Sequence, residues 1–184
     1  MARGIIHAER AEPDLGTARG HGFRLWINLP ASEKMLPPQW RAIDAADIPA
    51  VIFKESEVRV LAGKYHGLEG PVAPPTTKPF IADVLLKPEG EVTMPIPTGH
   101  QGFVFAFEHG VAVADSLINR GQAGILGEAG DTLTLTAGRD GGRVLVVTGA
   151  PLREPIVRHG PFVMNTLDEI KQAFTDHQNG KFGI

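Results

Sequence analysis

The chain has 184 residues, of which 42% are apolar and 21% charged, an ordinary globular composition able to bury a core without staples. Its formal net charge is −3 and its 18 Lys and Arg are scattered, whereas a nucleic-acid binder shows a basic stripe that neutralises phosphates. There is no cysteine, which excludes a disulfide framework, a thiolate nucleophile and Cys-based zinc or iron–sulfur sites.

Gly (22) and Pro (15) are spread throughout, as expected of many short strands joined by tight turns. Residues 3–9 read as a strand, with Ile5, His7 and Glu9 on one face and Ile6 and Ala8 on the other. Residues 11–22 read as loop, Phe23 to Leu29 as a second strand ending at Pro30, and residues 31–49 as Pro-punctuated linker. From Val51 onward the period-2 pattern recurs. Strands are expected at 58–62, 81–86, 92–96, 103–108, 111–114, 132–136 and 143–148. Turns are signalled by Pro88-Glu89-Gly90, by His109-Gly110, read as a hairpin turn, and by Arg139-Asp140-Gly141-Gly142. Six or more short strands without interleaved helices indicate an all-β sandwich or barrel rather than a parallel α/β fold.

One helix is expected, at the end of the chain. Thr166-Leu167-Asp168-Glu169 is a capping box; Leu167, Ile170 and Phe174 follow at helical spacing, and Asn179-Gly180 supplies a stop. An amphipathic helix needs a surface to cover, so this one is expected to pack against a sheet. The longest aliphatic runs, such as 144–147, are too short to span a bilayer, and no charged-then-apolar leader opens the chain. A cytoplasmic protein is expected.

The chemical candidates are few. His7 and Glu9, two apart on the expected strand, leave the same face roughly 6.5–7 Å apart along the chain. An imidazole and a carboxylate suit iron, manganese or zinc. A catalytic metal site generally needs a third protein ligand, and His21, His66, His100, His109, His159 and His177 carry no spacing signature; each is read as a surface or structural histidine. There is no His-x-His, phosphate-cradling loop, dinucleotide fingerprint or nucleophile elbow. Phe103, Phe105 and Phe107 are read as the inward face of a core strand rather than as a ligand pocket.

Three segments together resemble the pirin family, a branch of the cupin superfamily: Ala2-Arg3-Gly4-Ile5-Ile6-His7-Ala8-Glu9, Arg24-Leu25-Trp26-Ile27-Asn28-Leu29-Pro30 and Gly160-Pro161-Phe162-Val163-Met164-Asn165-Thr166. The resemblance runs from the first residue to the last. It implies an all-β, cupin-type β-barrel or jelly roll plus one C-terminal α-helix. The barrel would be the C-terminal domain of a bicupin, with a remnant of the N-terminal barrel before it. On that pattern residues 1–50 are the remnant and interdomain linker, 51–150 the C-terminal cupin, and 151–184 a tail and helix packing back towards the N-terminal part. The family holds one non-haem iron through three His and one Glu in its N-terminal barrel. His7 and Glu9 match the last His and the Glu, and the His-x-His segment supplying the first two has no counterpart, so the chain looks N-terminally truncated.

The resemblance further implies oxidation of a flavonol of the quercetin 2,3-dioxygenase type, with Glu9 a candidate base as well as a ligand, impaired where two of four ligands are missing. The alternatives are a metal-linked regulatory module that binds a protein partner such as a transcription factor, or an inactive remnant. An orphaned strand over residues 3–9 would present an unpaired edge, so self-association is expected.

Overall fold

Alternate residues of the Val- and Leu-rich segments turn to opposite sides, and that alternation builds the sheets. The structure, a computed structural model, describes residues 4, 6, 22–72, 76–127 and 129–182. The strand expected over residues 3–9 lies outside the described residues except for Gly4 and Ile6. The chain divides into two compact units, Ala42–Pro151 and Met1–Arg41 with Leu152–Ile184.

The first of these units holds strands β1 (Ala50–Ile52), β2 (Ser56–Ala62), β3 (Lys64–Tyr65), β4 (Leu68–Glu69), β5 (Phe80–Leu86) and β6 (Glu91–Pro95). It continues with β7 (Gln101–Glu108), β8 (Val111–Val113), β9 (Ser116–Ile118), β10 (Ala123–Leu126), β11 (Thr132–Ala137) and β12 (Gly142–Gly149). A six-stranded sheet runs β1-β2-β5-β12-β7-β10 and a four-stranded sheet β6-β11-β8-β9, while β3 and β4 form a small hairpin. The larger sheet is antiparallel throughout, with Val144 opposite Val84 on one side and Ala106 on the other. Between the sheets lie Val58, Val60, Ala82, Val84, Met94, Val104, Ala106, Leu135, Val144 and Val146, each wholly buried. This is an all-β, cupin-type barrel whose interior is filled by aliphatic side chains.

Two readings of the sequence are corrected here. His109-Gly110 is not a hairpin turn, because β7 pairs with β12 and β10 whereas β8 pairs with β11 and β9 in the other sheet. Pro88-Glu89-Gly90 likewise carries the chain from one sheet to the other, and the corner is tight enough to need positive φ at Glu89 (58°) and His109 (56°). Nor do the three phenylalanines of β7 fill the barrel. Val104 and Ala106 point inward at 0% exposure, while Phe103 and Phe105 lie half-buried on the opposite face, their Cα atoms facing Val147 and Leu145. A bulge sets Arg143 opposite Glu108 but Val144 opposite Ala106, and Phe107 then lies beneath the Arg143 guanidinium, 5.3 Å from its ring centre. Periodicity says which residues share a face, not which face turns inward.

The second unit contains β13 (Val157–His159), β14 (Phe162–Met164) and α1 (Leu167–Gln178). β13 and β14 pair across Gly160-Pro161; Gly160 sits at φ 54° and proline fixes φ near about −65°, the combination a type II′ hairpin turn requires. The capping box forms in full, with the Thr166 side chain accepting from the Glu169 amide and Glu169 reaching back to the Thr166 amide. Ile170 is buried and Phe174 meets Phe162 edge-to-face, so α1 covers the hairpin. Leu167, expected on the apolar face, is 66% exposed.

Residues 23–29 do not form the expected strand: 22–30 carry no regular secondary structure, and Phe23, Leu25 and Trp26 are exposed. Alternation alone does not make a strand; a hydrogen-bonded ladder does. Short 3-10 turns interrupt the expected linker at Ala31–Glu33 and Ala45–Asp47.

Candidate functional site

The two residues singled out from the sequence, His7 and Glu9, lie outside the described residues, as does His21. What the structure does show is how described parts of the same unit are held together. Two of the three family-like segments meet in the unit formed by residues 1–41 and 152–184, and a polar node joins them. Lys34, only 8% exposed, points its ammonium back into the chain, where Nζ donates to Asn28 Oδ1 and, at 2.7 Å, to the Leu29 carbonyl. One oxygen of Glu154 accepts from the Ala31 amide at 2.7 Å and from Asn165 Nδ2 at 2.9 Å. Asn165 Nδ2 also donates to the Pro155 carbonyl at 3.0 Å, and the Asn165 amide donates to Glu169.

Electrostatics follow from this arrangement. Burial pushes the Lys34 ammonium below its usual range, and the nearby Glu154 and Glu169 partly restore it. Glu169 is held below the ordinary carboxylate range by hydrogen bonds from the Thr166 side chain and backbone, then by the Asn165 amide and Lys34. No sequence signal announced this node, because Glu154 stands 123 residues from Ala31.

A second cluster in the same unit is aromatic. Phe162 lies edge-on to Phe174, with ring centres 4.9 Å apart, and to Phe182 at 5.8 Å; His159 and His177 close its sides at 5.4 Å from Phe174 and 5.6 Å from Phe182. Phe182 in turn closes over the backbone of Gly4, where an added Cβ would lie 3.1 Å from the ring.

The other histidines are dispersed over the barrel unit. His66 turns the β3–β4 hairpin at φ 47° and packs edge-on against Tyr65 and Phe53. His100 Nδ1 is 3.4 Å from Thr148 Oγ1, and burial, then Lys78, hold its pKa low. His109 stands in the corner between sheets. Among the described residues no group of three or more His, Cys, Asp or Glu is arranged to hold a metal ion.

Two grooves open on the barrel surface. The larger, about 390 Å³, is lined by Phe53, Tyr65, His66 and Glu91 among others; the Tyr65 hydroxyl donates to the Thr93 carbonyl, and burial raises its pKa. The smaller, about 240 Å³, carries Glu57, Arg59, Asp83, Leu85 and Arg143. There Arg143 grips Asp83 with two parallel bonds of 2.9 and 2.7 Å and reaches Glu108 at 3.3 Å. This is a surface ion-pair network of two arginines and three carboxylates on the sheet's outer face.

The fold and the filled barrel define the class of protein: a cupin. Within that class, the model of the pirin C-terminal cupin domain matches residues 81–183, more than half the chain, and the chain belongs to the pirin family. It is 37% identical over 186 residues to a Pseudomonas aeruginosa protein named "Putative quercetin 2,3-dioxygenase", covering 98% of this chain and 64% of that one. It is 34% identical over 189 residues to human pirin, covering 99% of this chain and 63% of that one. The crystal structure of quercetin 2,3-dioxygenase from Acinetobacter baumannii superposes with a TM-score of 0.80 at 37% identity, over 86% of this chain and 55% of that one. The chain thus spans a little under two thirds of the length of these curated relatives. No helix among the described residues is long and apolar enough to cross a membrane.

Proposed function

We propose that this chain works as part of a pirin-type metalloprotein, with His7 and Glu9 contributing ligands to a non-haem iron that serves oxidation of a flavonol such as quercetin. The observation that carries this reading is the likeness to the Acinetobacter quercetin 2,3-dioxygenase, at 37% identity and a TM-score of 0.80. The barrel of residues 51–150 is read as the C-terminal cupin of a two-cupin arrangement. Residues 1–50 belong with the first cupin, and 151–184 return to them. Aliphatic side chains fill the 51–150 barrel, which favours placing the chemistry at the N-terminal segment instead.

The donor set fits the metal: a neutral imidazole and a carboxylate are ligands that suit iron, provided further donors complete the site. Bound iron would supply Lewis acidity and open positions for substrate and oxygen. His7 would hold it through a ring nitrogen. Glu9 would contribute its carboxylate, which would also be a candidate to take the proton of a flavonol hydroxyl.

The test is metal content followed by turnover. Weak iron binding by the purified chain, lost in His7→Ala and Glu9→Gln, with quercetin consumption impaired because the chain supplies only two of the four ligands the resemblance implies, is the expected result. Iron without quercetin consumption would favour the second reading, a metal-linked regulatory module with a protein partner in the cytoplasm. Metal-free protein indifferent to both substitutions would overturn the metal reading and leave a folded barrel without a site.

A further inference from the structure

We propose that the larger groove of the barrel unit is a binding site for a methylated ammonium group, set against the rings of Phe53, Tyr65 and His66 with Glu91 as its counter-charge. The proposal stands apart from the metal reading above and uses none of its residues.

Three rings meet in this groove at steep angles. Phe53 and Tyr65 have centres 6.3 Å apart at an interplanar angle of 67°, Phe53 and His66 5.3 Å at 77°, and Tyr65 and His66 4.6 Å at 72°. Planes crossed in this way turn their faces in different directions around one space, which suits a tetrahedral ammonium group better than a flat ligand. Each ring is held by its own element. The Tyr65 hydroxyl donates to the Thr93 carbonyl at 3.2 Å, and the Phe53 amide donates to the Ser56 carbonyl at 2.8 Å. His66 and Gly67 are the central residues of the β3–β4 hairpin, where Tyr65 faces Leu68. Their φ values of 47° and 81° are both positive, as a type I′ turn requires. His66 is exposed, and neither of its ring nitrogens has a hydrogen-bond partner among the described residues.

Charge points to the same occupant. The groove, about 390 Å³, has Lys54, Glu55 and Glu91 as its charged lining, one cation against two carboxylates. The Lys54 side chain is 94% exposed and pairs with Glu55 at 3.3 Å, while the nearby Lys87 ammonium donates to the Lys54 carbonyl at 2.6 Å. Glu91 accepts only from the neutral Thr136 hydroxyl, at 3.2 Å, and has no ion-pair partner among the described residues. A carboxylate left uncompensated beside crossed aromatic rings attracts a weakly hydrated cation, whose methyl groups also bury against the rings. The bland alternative is that the rings only close one end of the core, where Tyr65 also meets Phe80 with centres 6.4 Å apart.

Proton–nitrogen correlation NMR of the intact chain, titrated at constant ionic strength with choline and with its uncharged carbon isostere dimethylbutanol, separates the two. Choline should shift the amide signals of residues 53–55, 65–67 and 91–93 saturably, with a Kd of about 1 mM. Dimethylbutanol, equal in shape and lacking the charge, should bind at least about fivefold more weakly. Phe53→Leu, which keeps apolar bulk and removes the ring, should weaken choline about fivefold, and Glu91→Gln about two- to threefold. Glu91 is an exposed side chain, so Glu91→Gln and the isostere decide the matter even if Phe53→Leu disturbs the core. Absence of saturable shifts at these residues, equal binding of the uncharged isostere, or choline affinity unchanged in Glu91→Gln would each overturn the proposal.

Discussion

Glu154 accepts a hydrogen bond from Asn165 Nδ2 at 2.9 Å through the same oxygen that takes the Ala31 amide at 2.7 Å. A carboxylate shared between a side-chain amide and a distant backbone amide ties three stretches of one unit together. Charge-assisted bonds of this type are the stronger ones. Glu154→Ala should therefore destabilise this unit by about 1 kcal/mol, since the exposed Ala31 amide loses its protein acceptor and the Asn165 side chain keeps only the Pro155 carbonyl. The only two tryptophans, Trp26 and Trp40, lie in the same unit, so denaturant unfolding followed by their fluorescence reports the change. A midpoint equal to wild type would contradict the tie.

On the barrel the decisive pair is Arg143 and Asp83, whose side chains are 31% and 17% exposed. The fork geometry makes Arg143→Lys non-conservative, because an ammonium cannot bond both carboxylate oxygens in parallel. A double-mutant cycle at 83 and 143 should give a coupling energy of about 1 kcal/mol or more. The exposed pair Lys64–Glu69, at 3.2 Å with side chains 73% and 59% exposed, should give under about 0.5 kcal/mol and fade with salt.

Leu135 lies between the sheets with no exposed surface, whereas Leu117 is 65% exposed. Leu135→Ala should cost about 2–5 kcal/mol through lost burial and the cavity left behind. The same change at Leu117 should stay within about 0.5 kcal/mol of wild type. Thermal unfolding of the two variants side by side checks the assignment of the core face.

The helix cap predicts a pH response with a definite sign. Glu169 has its folded pKa depressed below the ordinary 4.5, first by the Thr166 hydroxyl and backbone. Its contribution to stability is thus fully present above the unfolded value and disappears as pH falls through the lower folded value. An NMR titration of the Glu169 carboxyl should give a midpoint below 4.5 that moves part of the way back in Thr166→Ala. That variant should also lose about 1 kcal/mol of helix stability at neutral pH.

Much of this architecture is local and so was legible along the chain. Period-2 runs located β2, β5, β6, β7, β11 and β12 to within a few residues, because backbone alternation and side-chain burial share one repeat. The Thr166–Glu169 box located the start of α1, because a cap is completed by residues three apart. The short strands β1, β9, β10 and the β3–β4 and β13–β14 hairpins were missed. These pieces of two to four residues give a period little to register on, although the equally short β8 was located at 111–114.

What the sequence by itself determined is therefore the all-β class, the terminal helix, the absence of thiol chemistry and, through three short segments, the family. Tertiary structure alone decided which face of β7 turns inward, which strands a tight corner joins and what Lys34, Glu154 and Phe182 hold. The physical reason is one of range. Propensity, alternation and capping act between near neighbours, whereas an inward face, a shared carboxylate or a ring over Gly4 exists only once residues far apart in the chain compete for the same space.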